Sequence, residues 1–197
     1  MKKLVTKQMN TVKEKDIVSG TLTIEEDSFV KNLDILQKRK PLKSFEDMKF
    51  SLLLINGPNL NMLGKRDPEH YGSFTLADVE KLSYDTAFLR GYKLESFQSN
   101  YEGAIIEKIH EAISRHDGIV INPGAFTHYS YAIYDALELC SLPVVEAHIS
   151  DIASREDFRK ISVISPACIA QIKGLGIESY SRAINVLCDT IEKIIKR

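Results

Sequence analysis

From Phe50 onward, short apolar runs alternate with segments whose apolar residues recur every three to four positions. The run 50–55 has strand length and is closed by Asn56-Gly-Pro58, so it predicts a strand buried on both faces. Thr75-Leu-Ala-Asp78 is a variant capping box, and Leu76, Val79, Leu82 and Leu89 continue at helical spacing until Gly91 ends the element. A second strand is predicted over 92–97, followed by a helix that puts Ile105, Ile106, Ile109 and Ile113 on one face. Residues 118–121 predict a third strand, with a helix after His128 running to about Leu139. Strands four and five are predicted over 142–147 and 167–172, with a short helical turn over 155–160 between them. A last helix is predicted over 179–195. Alternating strand–helix units imply a parallel sheet with helices on both faces. Five of them predict an α/β fold of the flavodoxin-like, doubly wound kind.

Residues 1–48 differ from this pattern, with few apolar positions before Phe29 and a slight excess of Lys and Arg. Phe29, Val30, Leu33 and Leu36 fall at helical spacing before Lys40-Pro41, predicting an amphipathic helix over about 25–39. Two readings stay open for this N-terminal extension. It is a poorly ordered tail with a transient helix, or it docks onto the catalytic domain of residues 49–197 or a neighbouring subunit.

Composition narrows the function classes. The 197 residues are 44% hydrophobic and 27% charged, with a formal charge of -1. That gives no basic footprint for nucleic acid and no net field for a membrane surface. Cys140, Cys168 and Cys188 are odd in number and lack metal-ligand spacing, which suits a reducing compartment and a cytoplasmic location. No apolar stretch approaches the roughly 18 residues of a bilayer span. The opening residues lack the apolar core of a secretory signal, and the early acidic residues argue against a transit peptide.

Polar clusters fall at the carboxyl ends of the predicted strands: Asn56–Asn59 after the first, Asn122–His128 after the third, His148–Ser150 after the fourth. Open α/β sheets bind ligands beyond those ends. The connection after the first strand is too long for an ordinary loop of about 2–6 residues, and such loops commonly act as lids or binding loops. It is not a phosphate-binding P-loop, because Asn59 stands where the first glycine belongs and Arg66 replaces the hydroxyl residue. Nor do Gly57 and Gly64 alone make a dinucleotide fingerprint.

Glu146 and His148, two apart on a strand, point to one face, where a carboxylate can fix an imidazole tautomer and favour the charged ring. His148 is thus either a general acid or a histidine satisfied within the core. Tyr71 follows Arg66 by five residues, and a guanidinium near a phenol favours the phenolate, giving a proton abstractor. The same residues also suit a surface tyrosine packed over a proline turn. No histidine pair with a helical glutamate, no Cys-x-x-Cys and no Gly-x-Ser-x-Gly occurs, so metal and serine-nucleophile chemistry find no support.

Six ordered blocks carry a resemblance to a known family: Asn56-Gly-Pro-Asn-Leu-Asn-Met-Leu-Gly64, Arg66-Asp-Pro-Glu-His-Tyr71-Gly, Phe97-Gln-Ser-Asn100, Ile121-Asn-Pro-Gly-Ala-Phe-Thr-His128, Glu146-Ala-His-Ile-Ser150 and Arg155-Glu-Asp-Phe-Arg159. Over about 50–195 the chain resembles the type II 3-dehydroquinate dehydratases of the shikimate pathway. The resemblance implies a cofactor-free anti elimination of water from 3-dehydroquinate, giving 3-dehydroshikimate. In it, Tyr71 takes the proton alpha to the ketone and Arg66 lowers its pKa. Asn59 helps hold a water against the enolate oxygen, as an oxyanion hole would. His148, supported by Glu146, protonates the departing hydroxyl. Backbone amides of Ile149 and Ser150 grip the carboxylate, and Asn122, His128 and Arg159 bind hydroxyls. The resemblance also implies a homododecamer built from trimers, with Asp135 reaching into a neighbouring subunit's site.

Three positions depart from the family pattern. Tyr101 replaces a common His at the opening of a helix, Ala170 replaces a common Gly in the fifth strand, and Asp151 stands where Asn is usual. A carboxylate near an anionic ligand repels it, so Asp151 is expected to raise KM. Two rivals remain: a catalytically silent module of the same fold that binds an anion or a partner protein, and dehydration through a lysine Schiff base that borohydride would trap. Completeness of the polar set favours the cofactor-free dehydratase.

Overall fold

In the computed structural model, the described residues are 48, 50–65, 73–154 and 156–196. They belong to the unit spanning residues 42–197. The expected N-terminal helix, Arg66, Tyr71 and Arg155 lie outside the described residues.

Among the described residues, five parallel strands form one sheet in the order β2-β1-β3-β4-β5. They are β1 (Phe50–Asn56), β2 (Tyr92–Gln98), β3 (Gly118–Asn122), β4 (Val144–His148) and β5 (Ala170–Lys173). Four helices connect or follow them: α1 (Leu76–Arg90), α2 (Glu102–Ala112), α3 (Tyr131–Cys140) and α4 (Glu178–Ile195). The strand order reverses direction between β1 and β3, the switch point where doubly wound sheets open a crevice. This is the flavodoxin-like arrangement that the alternation predicts.

Side-chain alternation on β1 divides the core. Leu52 and Leu54 pack with Val79 and Ala87 of α1 and with Ala183, Ile184 and Leu187 of α4. Leu53 and Ile55 pack on the other face with Ile105 and Ile109 of α2 and Ile133 and Leu137 of α3. A strand covered on both faces has no polar side to present, which is why its sequence reads as one apolar run. The Thr75 capping box forms as predicted, and Gly91 closes α1 in the left-handed region at φ 83°.

Two strand boundaries differ from expectation. β4 starts at Val144 rather than 142, because Pro143 has no N–H to give the ladder, and it extends to include His148. β5 starts at Ala170 rather than 167, because Ser165–Ala167 form a 3-10 turn with proline in its first positions.

At the carboxyl ends of β1 and β3 two loops interlock backbone to backbone. The Gly57 N–H donates to Asn122 O at 2.7 Å. A Cβ on Gly57 would lie 2.4 Å from Pro123 O, and one on Gly124, at φ +57°, would lie 2.9 Å from Pro58 O. Glycine is needed here for approach, and at Gly124 for conformation as well. Gly57→Ala should therefore lower the unfolding free energy by about 1–3 kcal/mol, the range for overpacked sites; an unchanged denaturant midpoint would contradict this packing.

Candidate active site

Beyond the ends of β1, β3 and β4 lies a cleft of about 180 Å³ lined by Pro58, Asn59, Leu60, Asn122, Gly124, Ala125, His128, His148, Ile149, Ser150, Ile152 and Arg159. Seven residues singled out from sequence are thus brought together from three loops: Asn59, Asn122, His128, His148, Ile149, Ser150 and Arg159. Glu146 sits directly behind His148. Asp135 is on an exposed position of α3 and does not line this cleft.

Each wall has a local cause. Asn59 adopts the left-handed conformation, φ 64°, which asparagine tolerates better than most residues. Its N–H donates to Asn100 Oδ1 at 2.9 Å, and Gln98 Nε2 donates to Gly57 O and Asn100 Oδ1, both at 3.2 Å. The last residue of β2 and the segment after it therefore clamp the loop after β1. His128 ends the 3-10 turn Gly124–His128, and its Nδ1–H donates to Ile161 O at 2.8 Å, which turns Nε2 into the uncommitted ring atom. Arg159 lies 5.1 Å from the Phe158 ring centroid and pairs with Glu156 at 3.6 Å.

The electrostatic centre is Glu146, which is 0% exposed. Thr127 Oγ1 donates to its Oε1, Gln171 Nε2 donates to Oε2 at 2.8 Å, and the Ser162 hydroxyl stands 2.9 Å from both oxygens. Ser162 Oγ accepts from Ser165 N at 3.0 Å, and its own proton goes to the carboxylate, which when ionised can only accept. His148 Nε2 is 2.6 Å from Oε1. Burial pushes the Glu146 carboxyl up, but the His148 hydrogen bond and charge, with the bonds from Thr127 and Gln171, outweigh it and hold the carboxyl below its usual value. An ionised carboxylate only accepts, so Nε2 of His148 carries a proton, and Nδ1 is the ring atom left to exchange one with the cleft.

The sequence reading missed Thr127, Ser162 and Gln171. Gln171 is the register partner of Glu146 on β5, a pairing that becomes visible only once the strand order is known. Thr127 lies within a recognised block, but its role emerges only from contact with β4. Asp151 stands between the lining residues Ser150 and Ile152; its carboxylate accepts from Ala153 N at 3.0 Å and pairs with Lys173 at 3.6 Å, a partner that the sequence reading did not foresee. Tyr101 is 78% exposed and opens α2, away from the lining. The described residues contain no group of three His, Cys, Asp or Glu that could hold a metal ion, and no helix among them is long and apolar enough to cross a membrane.

Comparison with known proteins gives this geometry its context. The family model for dehydroquinase class II matches residues 50–188. A 3-dehydroquinate dehydratase of Bacillus pumilus is 54% identical over 135 residues, covering 68% of this chain and 92% of that protein. One from Thermotoga maritima is 50% identical over 143 residues, covering 73% and 98%. The crystal structure of a type II dehydroquinase from Butyrivibrio crossotus superposes with a TM-score of 0.69 at 48% identity, over 70% of this chain and 97% of that one. A type II dehydroquinase from Propionibacterium acnes gives the same TM-score at 39% identity, over 72% and 98%. Family model, relatives and fold agree over the same stretch, and the chain belongs to the class II dehydroquinase family.

Proposed function

We propose that the chain catalyses the anti elimination of water from 3-dehydroquinate, giving 3-dehydroshikimate, without a cofactor. Family membership supports the substrate and the reaction. The observation that carries the chemistry is the buried Glu146 carboxylate bound to Nε2 of His148 at the edge of the cleft.

The elimination needs one group to remove a proton from carbon and another to give one to oxygen. Tyr71, with Arg66 beside it in sequence, is the base: its phenolate takes the proton alpha to the ketone, and the C–H electrons form an enolate. Asn59, on the cleft wall, holds a water against the developing oxyanion. The enolate then collapses, the new C=C forms, and the C–O bond on the opposite face breaks. His148, charged, gives its Nδ1 proton to the departing hydroxyl, which leaves as water. Glu146 remains ionised throughout and keeps the ring turned. Asn122, His128 and Arg159 bind ligand hydroxyls, and the backbone at Ile149 and Ser150 receives the carboxylate.

Assembly belongs to the same proposal. Tyr129, Tyr131 and Phe158, on segments that border the cleft, are 58%, 68% and 70% exposed, and Asp135 is exposed on the same helix as Tyr131. Exposed aromatic surface beside a site suits a contact between subunits. We take the assembly to be a homododecamer of trimers in which Asp135 enters a neighbour's cleft. Sedimentation should find no active monomer; a fully active monomer would remove Asp135 from the site.

Incubation of the purified chain with 3-dehydroquinate should produce the enone absorbance of the product, and no change would overturn the reaction. Tyr71→Phe and His148→Ala should each lower kcat by about 10²–10⁴-fold, the usual contribution of one general acid or base. Tyr71→Phe should still bind substrate; near-normal turnover in either variant would remove that ring from the chemistry.

A further inference from the structure

The roles above leave Tyr180 unused. It stands in the first turn of α4, completely buried, below the carboxyl ends of β1 and β3. Those ends lie side by side, with Asn56 in register with Asn122. The Tyr180 hydroxyl bridges the two, 2.7 Å from Asn122 Nδ2 and 2.9 Å from Asn56 Oδ1.

The direction of each bond follows from a backbone amide. The Gly124 N–H can only donate, and its acceptor at 3.2 Å is Asn122 Oδ1. That sets the Asn122 amide with Nδ2 toward Tyr180, so the phenol oxygen accepts and its single proton goes to Asn56 Oδ1. Burial pushes the phenol pKa up, against a lowering hydrogen bond from Asn122, so the group stays a neutral hydroxyl that can do both. The one-way chain ends at Asn56 Nδ2, which is buried and without a hydrogen-bond partner among the described residues. Reversing it would partner Asn56 Nδ2 but would set Asn122 Nδ2 against the Gly124 N–H, donor against donor. The chain thus has one permitted polarity, and its unsatisfied end is on Asn56, which does not line the cleft.

We infer that Tyr180 is a positioning residue: through Asn122 it fixes the amide atoms that meet the ligand, one remaining N–H and one remaining lone pair of Oδ1, which together suit an alcohol. The inference rests on the proposed function, in which Asn122 binds a substrate hydroxyl. Tyr180 never touches the ligand; its hydroxyl keeps Asn122 from swinging or flipping.

The test is steady-state kinetics with 3-dehydroquinate on Tyr180→Phe, Asn122→Ala and the double variant, with melting temperatures. Tyr92→Phe is the control, because it removes another buried hydroxyl, 3.5 Å from Cys188 O on the same helix and at the opposite end of the sheet. Tyr180→Phe should raise KM about tenfold while kcat stays within about threefold, the double variant should be no worse than Asn122→Ala, and Tyr92→Phe should lower the melting temperature without moving KM. Unchanged KM in Tyr180→Phe, or additive losses in the double variant, overturns the inference. Should Tyr180→Phe not fold, 3-fluorotyrosine at position 180 keeps the shape but weakens the phenol as an acceptor, and an unchanged KM there overturns it equally. Absence of turnover in the unmodified enzyme would instead sink the proposed reaction, and this inference with it.

Discussion

A carboxylate with no access to water persists in a fold only when several donors converge on it. Glu146 is such a group, and its donors come from four places: Thr127 after β3, His148 on β4, Ser162 in the connection to β5, and Gln171 on β5. Losing a partner of a buried charge costs far more than the net worth of the contact, so the requirement ties these segments to a single arrangement. Because the folded carboxyl titrates below its unfolded value, ionisation stabilises the fold above the ordinary carboxylate range. That contribution is lost as pH falls through the folded value.

The position of the cleft follows from the same constraints. Parallel strands end together, and the order β2-β1-β3-β4-β5 places the switch point between β1 and β3. The loops leaving those strands touch through Gly57 and Gly124, at distances where a side chain would not fit. This brings Asn59 and Asn122 onto one wall, with His148 arriving from β4. Two buried polar systems back this wall: Glu146 is hydrogen-bonded to His148, and the Tyr180 hydroxyl to Asn122 and Asn56.

Much of this is written in the periodicity of the chain. β1 reads as an apolar run because both faces are covered, and Thr75, Asp78 and Gly91 mark the ends of α1 by local chemistry alone. The spacing of Glu146 and His148 on one strand makes their contact foreseeable. Gln171, Ser162 and Tyr180 are different. Each is an ordinary polar residue in its own segment, and each acquires a role only when topology brings it to a partner 16 to 124 positions away. Prolines 143 and 166 displaced two strand starts by two or three residues, because an apolar run does not show where the ladder loses a donor. Asp151 reads as a repulsive charge in sequence, and only the fold reveals Lys173 beside it.

The proposed reaction depends on the address of one proton: Nε2 of His148, 2.6 Å from Glu146 Oε1, carries it, which leaves Nδ1 as the atom proposed to serve the substrate. Nitrogen-15 spectroscopy of histidine-labelled enzyme reads this directly, with His148 assigned by the signals missing from His148→Ala. With the ring neutral, Nε2 should show the shift of a protonated, pyrrole-type nitrogen and Nδ1 that of an unprotonated, pyridine-type one. The opposite assignment, with the proton on Nδ1, would contradict the account.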